Sequence, residues 1–183
     1  PQEIFFYRFL IAYIGIWAIS PKHLFADNLK DELWLVAGGV FGGSLYFFTE
    51  NTALGITQAS NVAFIICTAP LLTTILSLLF YKSEKATKGL IYGSLLALIG
   101  VGLVVFNGSV VLKLSPVGDL LTLLAALSWA FYSLVIKRMT GRYPTVFITR
   151  KIFFYGVLTI LPAFLLHPLQ PDFDVLLQPL VLS

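Results

Sequence analysis

The sequence is poor in charge, and poorest over its longest apolar stretch. From Leu33 to Tyr81 the one formally charged side chain is Glu50. Charged residues make up 11% of the chain and hydrophobic ones 58%, with a mean hydropathy of +0.90; soluble domains carry roughly 25% charge. The run is more than twice the ~20 apolar residues a helix needs to cross a bilayer. A soluble core has no use for it. Cysteine is nearly missing too: Cys67 stands alone inside an apolar segment, which excludes an intramolecular disulfide. Histidine is limited to His23 and His167, both in loops. No Cys/His metal-ligand spacing, no paired carboxylates within one apolar segment and no phosphate-cradling glycine loop occur. The expectation is therefore no catalytic residues, no metal and no cofactor. The net charge of +3 and pI near 9.1 invite a nucleic-acid reading. It fails because the basic residues lie in short clusters between apolar runs and form no recognition motif.

Six apolar spans can be drawn, at about 3–20, 33–52, 56–80, 89–107, 118–136 and 145–166. Pro21, Gly108, Pro116 and Pro144 punctuate their ends. The fold class is all-α, a polytopic transmembrane bundle whose first partner is the lipid bilayer. Lys22 and Lys30, then Lys82, Lys85 and Lys88, then Lys137, Arg138, Arg142, Arg150 and Lys151 fall on alternate connections, hence on one side. The other side holds Arg8 and Lys113. This asymmetry is topogenic: it puts residue 1 outside and the 137–144 loop in the cytoplasm. Arg150 and Lys151, near the inner end of the last span, are expected to snorkel to water. The chain begins at Pro1, has Met139 as its one methionine, and stops in an apolar segment, which reads as part of a longer protein.

Within the spans, Gly38 and Gly42, Gly39 and Gly43, and Gly89, Gly93 and Gly100 form small-residue ridges, expected to serve internal helix packing. Gln58, Asn61 and Thr68 share an arc of the third span, at about 100° per residue. Pro70 follows and removes a backbone hydrogen bond, which predicts a kink. Two readings of the polar stripe stand: a pathway for a polar solute, or hydrogen bonding between helices. Glu50 lies about 26 Å along its helix from Leu33, near the outer edge of the hydrocarbon. It is either a turn residue or a carboxylate facing an outward-open cavity, able to take a proton or an ammonium group. Ser128, Trp129 and Tyr132 share the fifth span, as cavity lining or as packing. Asn107-Gly108-Ser109 matches a glycosylation sequon but abuts a span end.

Three stretches resemble the EamA-type transporters of the drug/metabolite transporter superfamily. The first runs from Thr52-Ala53-Leu54 through Thr57, Ala59-Ser60 and Ala69-Pro70-Leu71. The second joins Glu84 and Lys88-Gly89-Leu90 to the glycine-rich 99–105, and the third is 118–130 ending at Lys137-Arg138. The resemblance implies ten helices in two inverted repeats of five, of which the spans here are similar to helices two to seven. The segment 107–117 would then link the repeats on the outer face. Pro1 with Arg8 and Pro144 with Lys151 share one spacing, an echo of such a repeat. Inverted repeats place solute near the midplane, which implies contributions from Glu50, Gln58, Asn61, Thr68, Trp129 and Tyr132. Glu50 itself matches no family motif.

The reading is a secondary carrier that moves a small polar solute, such as an amino acid, by alternating access in a bacterial inner membrane. A coupling proton is an open partner, and oligomeric state is left open. The alternatives are an intramembrane lipid or prenyl-group transferase and a non-catalytic membrane assembly subunit.

Overall fold

The structure is a computed structural model that describes residues 2–19, 25–81, 87–106 and 115–162. Among the described residues the chain is helical with short connections, as the all-α expectation required. Helix α1 spans Gln2–Ile19 and α2 spans Leu29–Gly39. Asn28 caps α2: its side-chain oxygen accepts the Asp31 N–H at 2.8 Å. Asp31 and Glu32 follow in the first turn, where the positive end of the helix dipole favours carboxylates. The helical path then widens over Val40–Ser44, where the Leu45 N–H reaches the Val40 carbonyl five residues back. It continues as α3, Leu45–Ile56, so α2, the wide segment and α3 form one rod.

The chain turns at Thr57-Gln58 and re-enters as α4, Ala59–Ile66. A break at Cys67-Thr68 separates α4 from α5, Ala69–Phe80. Pro70 lies in the first turn of α5, where a missing N–H costs least. The Thr68 hydroxyl donates to the Ile65 carbonyl at 2.6 Å, closing the broken turn. Helix α6 spans Lys88–Phe106, α7 Pro116–Thr140 and α8 Thr145–Ile160. The stretches Ala59–Phe80 and Pro116–Thr140 are long and apolar enough to cross a membrane; Phe6–Ile19 and Ile91–Leu103 are shorter apolar helices. Of the earlier expectations, Pro21, Lys22, Lys82, Glu84, Lys85, Lys113, the sequon, both histidines, residues 107–114 of the linker and the end of the last span after 162 lie outside the described residues.

Helix α7 is the axis of the bundle, touching α2, α3, α4 and α5, while α8 packs on α1 and α2. Its small buried residues Ala125, Ala126, Ser128 and Ala130 let those neighbours come close. The Ser128 hydroxyl donates to the Phe41 carbonyl in the wide segment at 2.8 Å, pinning the rod to α7. The glycine ridge of the rod does what small residues were expected to do. A Cβ on Gly39 would stand 2.4 Å from that of Tyr155, and one on Gly42 2.3 Å from the Tyr132 ring. The α6 ridge differs: a Cβ on Gly89, Gly93 or Gly100 would meet nothing within 4 Å. Those glycines face outward from the described bundle, and only Gly102 approaches a neighbour, Phe64 at 3.3 Å.

The contacts sort the helix ends. At one end the Tyr81 hydroxyl meets the Leu134 carbonyl, Lys137 reaches Ser77, Arg138 lies over Trp34 and Arg142 meets Asp31. At the other, Ser115 donates to the Ile56 carbonyl at 3.3 Å and Gly118 presses on Thr57.

Candidate functional site

Glu50 and Tyr46 sit one helical turn apart on α3, so their side chains share a face. The Tyr46 hydroxyl donates to Glu50 Oε1 at 3.2 Å. Across the interface α7 presents Trp129 and Tyr132, three residues apart and on one face for the same reason. The Tyr46 and Trp129 ring centroids are 5.1 Å apart, and those of Trp129 and Tyr132 are also 5.1 Å apart, both pairs tilted. The absence of a side chain on Gly42 leaves room for the Tyr132 ring. The result is a file of carboxylate, phenol, indole and phenol, with all four groups half-buried or partly exposed. Among the described residues no lysine, arginine or histidine pairs with Glu50. Chemically the file offers one negative charge, hydroxyls and aromatic faces.

Three of the residues singled out from the sequence, Glu50, Trp129 and Tyr132, are thus brought together, and Tyr46 joins them. Sequence reasoning missed Tyr46, although its place four residues before the carboxylate was a usable signal. The polar stripe is divided differently. Gln58 is exposed at the turn, as the residue that opens α4. Asn61 is 3% exposed, within a helix that packs on α6 and α7. Thr68 spends its hydroxyl on its own backbone at the break before Pro70.

Of the described basic residues read as topogenic, Lys137, Arg138 and Arg142 have specific partners. Lys137 Nζ donates to Ser77 Oγ at 3.2 Å and lies 5.4 Å over the Tyr81 ring, while Arg138 lies 4.9 Å over the Trp34 ring. Lys88 is exposed at the start of α6. Arg142 Nη1 binds Asp31 at 2.9 and 3.1 Å, and the Tyr143 hydroxyl donates to the same carboxylate at 3.1 Å. Burial opposes ionisation of Asp31, but the hydrogen bonds from Arg142, Asn28 and Tyr143 outweigh it and hold the carboxyl below its usual range.

Arg150 and Lys151 do not snorkel. They are 2% and 4% exposed. Lys151 pairs with Glu32, lies 4.7 Å over the Phe25 ring, and has the Tyr155 hydroxyl at 3.5 Å. Tyr155 also donates to Glu32, whose other oxygen accepts the Ala26 N–H at 2.7 Å. Desolvation pushes the Glu32 carboxyl up, yet the donors Lys151, Tyr155 and Ala26 together bring it below its ordinary value. The physical reason is proximity: α2 packs on α8, so a carboxylate from the first turn of α2 replaces water as the partner. Glu32 and Asp31 lie just before the predicted 33–52 span, and the sequence alone does not single them out. Their signal was charge matching, two acids beside the one membrane face rich in bases. The spaced pair Arg8 and Lys151 is unequal here, with Arg8 exposed.

Apolar helices joined through small residues, with ion pairs at one end and the Glu50 carboxylate between α3 and α7, define an integral membrane helical bundle. The chain belongs to the EamA-like transporter family, whose sequence profile matches residues 1–106. It is 31% identical over 146 residues to a Bacillus subtilis protein named uncharacterized transporter YdfC, covering 78% of this chain and 46% of that protein. An uncharacterized transporter of Archaeoglobus fulgidus is 26% identical over 166 residues, 88% of this chain and 56% of that one. One from Clostridium kluyveri is 25% identical over 171 residues, at 88% and 54%. The chain spans about half the length of these curated relatives. No solved structure matches it significantly.

Proposed function

We propose that the protein containing this chain is a secondary carrier that moves a small polar metabolite, such as an amino acid, by alternating access. Membership of the EamA-like transporter family supports transport. The observation that carries the reading to these residues is the Glu50–Tyr46–Trp129–Tyr132 file between α3 and α7. An ionisable residue inside a membrane bundle is expensive and faces an interior or a water-filled path. The basic end, with Lys137, Arg138 and Arg142, is the cytoplasmic one on the positive-inside rule, and the membrane is the bacterial inner membrane. Asn61, 3% exposed on α4 where that helix meets α6 and α7, is a second polar group in this reading of the pathway.

The test uses the full-length protein in lipid vesicles, with uptake of labelled small metabolites as the readout. A solute should accumulate, and Asn61→Leu should slow its flux about tenfold while the variant still purifies as folded protein. Unchanged flux in that variant would remove Asn61 from the pathway. Absence of flux for every metabolite class would contradict the carrier itself.

A further inference from the structure

We propose that the α3/α7 file is a recognition site for an ammonium group on the transported solute. The inference rests on the carrier reading and names the solute's chemical class. Glu50 has no cationic partner among the described residues, in contrast to Asp31 and Glu32, each of which is paired. A carboxylate in an apolar stretch needs a counter-charge, and here none is supplied by the described protein. Among the described residues its hydrogen bond comes from Tyr46, a donor that fixes the carboxylate without neutralising it. The side chains that continue from it are aromatic: the Tyr46, Trp129 and Tyr132 centroids follow at successive 5.1 Å steps. Trp129 keeps 40% of its surface exposed, so part of the indole is left uncovered by the described protein. Aromatic faces attract organic cations through the ring quadrupole, indole most strongly, and they do so best where water is scarce. A phosphate or carboxylate docked directly against Glu50 would instead meet like charge, with no cation among the described residues of the file. Glu50 supplies the charge, and the rings supply a surface suited to alkylated or primary ammonium.

The measurement is calorimetric titration of the detergent-purified full-length protein with tetraethylammonium chloride, against sodium chloride at equal ionic strength. Saturable binding of tetraethylammonium is expected. Glu50→Gln should weaken it about tenfold or more, and Trp129→Leu about threefold to tenfold. Trp129→Phe, which retains a ring and so preserves packing, should lose less than Trp129→Leu. No saturable binding, or binding indifferent to both Glu50→Gln and Trp129→Leu, overturns the site. Loss of pH-driven flux in Glu50→Gln with tetraethylammonium binding intact overturns it in favour of a proton-only carboxylate. Vesicles that carry a solute while tetraethylammonium neither binds nor competes refute the ammonium site and leave the carrier standing. Glu50-dependent binding without flux of any solute does the reverse.

Discussion

A lysine that is 4% exposed needs a partner in place of its hydration, and Glu32 is that partner for Lys151. Removing one member strands the other. Lys151→Met is expected to destabilise the protein by about 3 kcal/mol, because the Glu32 carboxylate is left partly buried and unbalanced. Adding Glu32→Gln should return much of the loss, since an amide needs no counter-ion. Thermal unfolding of the two variants in detergent checks this; equal stability of wild type and Lys151→Met would show the pair to be inert. The neighbouring Asp31 gives a pH signature. Its carboxyl titrates below the ordinary value of 3.8, so its stabilising contribution is complete above that pH. The contribution fades as pH falls through the lower, folded-state value. Acidification from pH 7 to about 3 should therefore lower the unfolding midpoint of wild type more than that of Asp31→Asn. Parallel curves for the two proteins would contradict the assignment. Neither pair was legible as a pair from the sequence. Opposite charges 111 and 119 residues apart in the chain meet only once α2, the α7–α8 connection and α8 are packed.

At the scale of elements, closeness between helices is set by glycine on the rod and by alanine and serine on α7. Gly39→Ala places a methyl 2.4 Å from the Tyr155 Cβ and 3.0 Å from the Gly156 backbone nitrogen, with no flexible atom to yield. A loss of about 1–3 kcal/mol is expected, or no folded protein at all. Gly93→Ala, on the open face of α6, should be neutral or stabilising by about 0.5–1 kcal/mol, as alanine restricts the unfolded chain. Comparing the two by fluorescence-detected size exclusion after heating tests the packing directly; equal tolerance would refute it. Helices were readable because apolar length and Pro/Gly punctuation are local properties. The two glycine ridges were not distinguishable, because spacing says where a helix is smooth and not which neighbour lies there. The wide turns at Val40–Ser44 also escaped notice, as nothing in Val-Phe-Gly-Gly-Ser requires a change of helical pitch. The break at Cys67-Thr68 lies just ahead of Pro70, whose effect on the preceding turn was local and thus foreseeable.

For the whole molecule, the described residues contribute a polar file between α3 and α7 and two ion pairs, Arg142–Asp31 and Lys151–Glu32, at the opposite end of the bundle. Glu50 was legible as an oddity from the first reading, since it is the one charge between Leu33 and Tyr81. Its aromatic neighbours were less so. Tyr46 looked like one of many rings, and the meeting of α3 with α7 joins residues about eighty positions apart. The family match agrees with the overall reading of a membrane bundle. Glu50→Gln removes the charge but keeps the Tyr46 hydrogen bond possible, so it separates chemistry from folding. The measurement that bears most directly on the central claim is counterflow: full-length protein in vesicles preloaded with unlabelled solute, given labelled solute outside. A carrier with alternating access should show transient accumulation above equilibrium, and Glu50→Gln should cut its rate at least about tenfold with the protein still folded. Entry that never overshoots equilibrium, or counterflow unchanged in Glu50→Gln, would contradict the account.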